Sequence, residues 1–227
     1  SATVPVAITG GAVTITAQDD SVSTVMAVPD TPGATGDVGV GASVATNIVG
    51  NRTIARVADN TAITTPGSLT LSALSAREIT TTAQAGSSGG ISVTPALALS
   101  LVNNTTSAQI GENATAQEST GNISILAAQH ATETTTASGI AAGSKAAIGA
   151  AIAIALVNDT TSATTYRDLD ADHNITLRSW GASLNTLEAT ASASGAEAAD
   201  SSGDAPAGQD RDVDTTVTSN LTHASDQ

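Results

Sequence analysis

Three stretches of the chain alternate between large aliphatic and small side chains. In residues 91–102, Ile91, Val93, Leu97, Leu99 and Leu101 share one parity, and Ser92, Ala96, Ala98 and Ser100 share the other. Residues 38–49 repeat the pattern, with Val38, Val40, Ala42, Val44 and Ile48 against Gly39, Gly41, Ser43 and Ala45. Residues 146–157 set Ile148, Ala150, Ile152, Ile154 and Leu156 against Gly149, Ala151, Ala153 and Ala155. A period of two is the signature of a β-strand. The pattern predicts large side chains inward and small ones outward, with the small face close against another layer or stacked with little relief. On that reading Leu99→Asp or Ile152→Asp breaks the core, while Ala98→Ser and Ala153→Ser are mild. Taken alone, Ala-rich 141–157 has good helix propensity, but the aligned Gly/Val-rich run 38–49 does not, so strand is predicted for all three. Pro95 lacks a ladder donor and predicts a bulge or a later strand start there.

The alternation belongs to a repeat. Val102-Asn-Asn-Thr-Thr-Ser-Ala108 recurs as Val157-Asn-Asp-Thr-Thr-Ser-Ala163, and more weakly as Val49-Gly-Asn-Arg-Thr-Ile-Ala55, at spacings of 55 and 53 residues. A second anchor occurs four times, at Ala12–Ala17, Ser68–Ala73, Asn122–Ala127 and Asn174–Ser179, spaced by 56, 54 and 52. A third aligns Thr80–Ala83 with Thr134–Ala137, 54 apart. Each unit reads as an aliphatic strand, an Asn-rich turn (Gly50-Asn51, Asn103-Asn104, Asn158-Asp159), a short Thr/Ala strand, a Gly/Asn-initiated strand and a Thr-rich stretch. The chain divides into a partial repeat (1–36), three repeats (37–90, 91–144, 145–198), and a polar insertion with a degenerate strand start (199–227).

Composition narrows the picture. Phe and Cys are absent, with one Trp and one Tyr, so the apolar content is Ala, Val, Ile and Leu. Such side chains suit a thin core between two close backbone layers better than a thick globular one. Without Cys there are no disulfides, thiolate metal sites or Cys nucleophiles. Seven basic residues against 21 acidic ones give a formal charge of −14, which argues against nucleic acid and anionic bilayers as partners. The most apolar run, 140–157, is mostly Ala and carries Lys145; it reads as buried structure and not as a membrane insertion. The start at Ser1, in mid-pattern, is expected of a fragment or mature piece.

Candidate chemistry is sparse. Asp168, Asp170 and Asp172 alternate as Ca²⁺ ligands do, but His173 and Ser179 stand where an EF-hand needs Gly and Glu. The run therefore reads as a polar turn, and Asp210, Asp212 and Asp214 fare no better. His130, His173 and His223 fall at unrelated repeat positions. No Gly-x-Ser-x-Gly elbow, phosphate-cradling glycine loop or singled-out carboxylate pair is present. No catalytic, cofactor or metal site is predicted. Asn-x-Ser/Thr sequons at Asn51, Asn103, Asn104, Asn113, Asn122, Asn158, Asn174 and Asn220 read as turn chemistry before glycosylation. Trp180 and the 199–212 insertion are the candidates for a receptor contact.

The texture of Leu101–Ile110, Gly121–Ala128 and Thr134–Gly139 resembles the repeat arrays of giant bacterial surface proteins, the filamentous-haemagglutinin-like and leukotoxin-type filamentous adhesins. The likeness covers most of residues 1–198. It implies export, a β-helical shaft and a role in adhesion or cell–cell contact. Repeat and resemblance agree on an all-β chain, a parallel β-helix (β-solenoid) of ~54-residue repeats, with tandem β-sandwich-like repeats as the alternative. The function expected is a non-catalytic shaft or spacer of an extracellular, cell-surface adhesin, whose partners are neighbouring repeats of the same polypeptide. The alternatives are a segment that itself binds glycans or another cell surface, or one that binds ice. Ice binding requires a regular Thr-x-Thr rank, which Thr186-Leu-Glu-Ala189 breaks.

Overall fold

The computed structural model describes residues 6–7, 11–29, 37–61, 63–64 and 67–195. The described residues contain no helix and form ten strands: β1 (Val6–Ala7), β2 (Val13–Ala27), β3 (Val38–Val40), β4 (Ser43–Val57), β5 (Ile63–Thr64), β6 (Leu69–Ile110), β7 (Gln117–Ser119), β8 (Ile123–Thr165), β9 (Leu169–Ala171) and β10 (Ile175–Ser194). Every pairing is parallel. Ala-rich 141–157 lies within the extended β8, so sheet pairing overrides its helix propensity.

The sequence anchors lie side by side. Val13 pairs with Leu69, Leu69 with Ile123 and Ile123 with Ile175; Val49 pairs with Val102 and Val102 with Val157. Successive passes of the chain therefore stack in register. The Asn-rich positions do not turn: Asn51, Asn104 and Asp159 fall within β4, β6 and β8. Asn51 meets the Ser21 hydroxyl in the facing layer (3.0 Å), and the later pairs bond along the stack. Asn104 Nδ2 donates to Asp159 Oδ1 (2.7 Å), and Asn158 Nδ2 to Asn103 Oδ1 (3.2 Å). An amide ladder between passes removes the local side chain-to-backbone bond that would otherwise favour a turn.

Each pass doubles back on itself. Ser43 Oγ donates to the Ala27 carbonyl (2.6 Å), Ser23 Oγ to Asn47 Oδ1 (3.0 Å), and the Ser87 and Ser92 hydroxyls meet at 2.5 Å. As one half advances the other recedes, so the halves lie face to face and antiparallel. Layer one comprises β2, the first halves of β6 and β8, and β10. Layer two comprises β3, β4 and the second halves of β6 and β8. The register slips by one residue at the fold-back, where Gly89 pairs with Gly143 but Ile91 with Ala146. The irregularity thus falls before Pro95, not at it. Pro95 lies inside β6, paired with Ala150, and the break between β3 and β4 lies opposite its missing N–H.

The interior has three zones. At one end Leu69, Leu71, Ile123 and Ile125 pack with Val57, Ile63 and Ile110. The middle is polar, with Ser75, Arg77, Gln129, Glu133, Asn47, Asn104 and Thr106 buried. The other end is built on Ala45, Ala83, Ala85, Ala96, Ala98 and Ala137, with Val25, Ala27, Ala151 and Ala153 packed against them. Here the layers almost touch. A Cβ on Gly139 would stand 2.3 Å from the Ala150 carbonyl oxygen and 2.5 Å from that of Thr94. The thin core holds, but the expected face assignment of the aliphatic strands is reversed. Ser43, Ala45, Ala96 and Ala98 point inward and are buried, while Val44, Ile48, Ile152 and Leu156 are 55–74% exposed. No gap between the layers accommodates Leu or Ile at this end, so the large parity faces outward.

Arg167 closes the wide end. Its Nε donates to the Gly111 carbonyl (2.6 Å), Nη1 to Thr61 (2.6 Å) and Nη2 to Ala58 (3.2 Å), so one guanidinium from the third pass ties down the first two.

Candidate functional site

The outer surface of layer one offers an aromatic-lined hollow. In-register pairing sets Gln18, Leu74, Ala128 and Trp180 in one outward column, and Asp20, Ala76, His130 and Ala182 in the next. Trp180, half exposed, overhangs the small Ala76 and Ala128, leaving a hollow of about 170 Å³ bordered by Asp20 and His130. A broader depression continues over Asp20, Val22, Glu78, His130 and Thr132. An indole edge beside a carboxylate and an imidazole can stack on an apolar ring face and accept hydrogen bonds from hydroxyls. No nucleophile–base contact accompanies it.

The structure distributes the other candidates rather than gathering them. Asp168, Asp170 and Asp172 are exposed on and beside the short strand β9, which pairs with β7. The Asp168 carbonyl accepts from Gln117 N (2.8 Å), and Asp172 N donates to the Ser119 carbonyl (3.1 Å). Only Asp170 thus lies within a strand, with Asp168 and Asp172 flanking it, and the described residues hold no cluster of three metal-ligating side chains. His173 Nδ1 lies 3.2 Å from the Thr120 carbonyl at the surface, far in sequence from His130 in the hollow. Of the sequons, Asn104 is fully buried, and Asn113 Oδ1 accepts from Thr115 N (3.2 Å) in a local turn. His223, Asn220, Asp210, Asp212, Asp214 and the 199–212 insertion lie outside the described residues.

Threonines form one complete outward column, with Thr24, Thr80, Thr134 and Thr186 in register. The next column reads Met26, Thr82, Thr136 and Glu188, so paired ranks exist in the middle two passes only. Thr81 and Thr135, between the ranks, point inward and are buried.

The polar middle zone escaped sequence reasoning, because its members come from three passes and both layers. Arg77 Nε donates to Asp19 Oδ2 (3.3 Å) across neighbouring passes, and Thr106 Oγ1 to Gln129 Oε1 (3.0 Å) across the layers. Both Glu133 carboxylate oxygens are buried without a hydrogen-bond partner among the described residues. Burial, helped by the charge of Asp159, raises the Glu133 carboxyl above its ordinary range, and the nearby Ser100 hydroxyl opposes the shift. At the surface, Asp59 is held below its ordinary range by hydrogen bonds from Arg56 (2.7 Å) and Glu112 N (3.0 Å).

Neither a family model, nor a curated protein, nor a solved structure matches the chain. No helix among the described residues is long and apolar enough to cross a membrane.

Proposed function

We propose that the chain is a segment of a β-solenoid shaft, a non-catalytic spacer in a secreted, cell-surface adhesin. The carrying observation is the parallel register of layer one, unbroken from β2 through the first halves of β6 and β8 to β10. Each pass presents to the next the edge on which it was itself built, so the stack extends by repetition. The absence of cysteine and the surface charge of −14 fit a shaft held by hydrogen-bond ladders and kept soluble by repulsion. Tandem duplication of residues 69–122 tests the reading. The longer chain should stay folded, melt no lower, and lengthen by about 4.8 Å, one inter-strand spacing, in small-angle scattering. A duplication that unfolds, or adds a loose bead, sinks the solenoid reading.

The hollow beside Trp180 supports a second reading, in which this segment itself binds a glycan. The single Trp makes the test clean: oligosaccharide titration should shift its emission, and Asp20→Ala should abolish the shift.

A further inference from the structure

The outward face of layer two is the most unusual surface of the molecule. It spans three in-register strands, from Val38 and Ile48 in the first pass to Ile148 and Leu156 in the third. Its larger side chains are exposed at 42–74% at the nine most open positions. These leave on the order of 1,000 Å² of apolar surface, where a typical monomer's largest patch is about 300–600 Å². No acidic residue occupies an outward position in 38–48, 91–101 or 148–156, although the chain carries 21 of them.

We propose that this face is a homotypic interface, on which a second copy of the chain packs sheet to sheet. Two such faces together bury about 2,000 Å², above the ~1,600 Å² of a standard stable interface. Columns such as Val44/Leu97/Ile152 and Ile48/Leu101/Leu156 run across the face, and the second of them lines an open apolar hollow of about 490 Å³ that side chains of a facing sheet can fill. Aliphatic sheet faces of this kind meet about 10 Å apart in sandwiches. Charge points the same way. A face free of carboxylates lets two chains of −14 approach while their acidic groups, such as Asp20 and Glu78 on layer one, stay on the far sides. A bilayer suits it less well, because neither aromatic residue of the described chain lies on this face and its charge repels anionic lipid. The interface does not depend on the shaft reading, since it needs only three passes.

Sedimentation equilibrium of the full chain, from 1 to 100 µM, tests the proposal. The native chain should be dimeric, and raising salt from 50 to 500 mM should preserve or strengthen the dimer, because only like-charge repulsion is screened. Ile152→Asp with Leu156→Asp should raise the dissociation constant at least 100-fold while leaving the far-ultraviolet circular dichroism unchanged. Leu184→Asp, exposed on layer one, should leave the dimer intact. Because the chain lacks cysteine, Leu101→Cys should oxidise to a covalent dimer and Leu184→Cys should not. A monomeric native chain overturns the proposal, whether or not it binds zwitterionic vesicles. So does loss of the β-spectrum in the double variant, which would place these side chains inside the fold.

Discussion

The two apolar ends of the interior are built from the same strands, yet they hold the layers apart by different means. At one end Leu69, Leu71, Ile123 and Ile125 fill a wide gap, and Arg167 seals it with three carbonyl contacts. At the other, six alanines and the glycine at 139 leave no gap at all. The wide end gains stability by removing aliphatic surface from water. The narrow end gains little in that way and relies on backbone ladders and close dispersion contacts. The ends should therefore fail differently: the wide one when volume is removed, the narrow one when volume is added.

Adding volume at the narrow end should have the largest effect. Gly139→Val puts a branched side chain where even a Cβ would overlap two backbone carbonyl oxygens. Backbone cannot step aside as a flexible side chain can. The layers must part along several residues, at a cost above about 4 kcal/mol. Chemical denaturation should find the variant unfolded or nearly so, and a native-like midpoint would show that the layers are not in contact there.

Removing volume at the wide end comes next. Leu71→Ala should cost about 2–5 kcal/mol, the range for a fully buried Leu whose surroundings relax only in part. A loss below about 1 kcal/mol in urea titration would mean that this end is not the anchor of the fold.

The comparison also explains what could be read from the chain beforehand. Strand periodicity, parallel register and the thin core were legible because in-register stacking places like residues on like, as with Val102 beside Val157. The inward parity was not. Alternation states that two faces differ, and the usual rule assigns the larger side chains to the core. Here the separation of the layers decides, and that separation is set by contacts across the layers, such as Gly139 against the Thr94 and Ala150 carbonyls, which alternation along one strand does not report. The turns expected at Asn51, Asn104 and Asp159 failed for a related reason: Asn104 bonds Asp159 in the next pass, 55 positions on, and Asn51 meets the Ser21 hydroxyl in the facing layer (3.0 Å). The Trp180 hollow was half legible. The aromatic was singled out, whereas Asp20 and His130 join it only through register.

Between the two ends, Glu133 gives the seam a pH dependence. Its carboxyl is buried and its pKa raised above the ordinary 4.5, chiefly by desolvation. Above 4.5 the folded chain therefore holds this proton more tightly than the unfolded chain does. Stability falls as pH rises from 4.5 through the raised folded value, and is greatest toward the acidic side of that window. Asp59 does not confuse the measurement, since its lowered pKa acts only at and below 3.8. Thermal melts between pH 5 and 7.5 should show the native chain stabilised by acid. Glu133→Gln should be more stable than the native chain at pH 7 and lack the slope. An identical slope in both would remove Glu133 from the seam.

The smallest effect should come from Gly50→Val, which repeats the chemistry of Gly139→Val on the opposite side of a strand. Gly50 faces outward in β4, paired with Asn103, and a Cβ there would meet nothing within 4 Å. Its backbone needs no left-handed conformation, so a branched residue costs no strain. Valine also favours extended backbone, and its methyl groups would prolong the aliphatic column that ends at Ile48. The expected change is a gain of less than about 1 kcal/mol, seen as a small rise in melting temperature. Paired with Gly139→Val, it isolates the direction a side chain faces from the cost of replacing glycine itself. A severe loss at Gly50 would mean that β4 presents its other face to the second layer, and the contrast between the two ends would have to be rebuilt with the aliphatic columns inside.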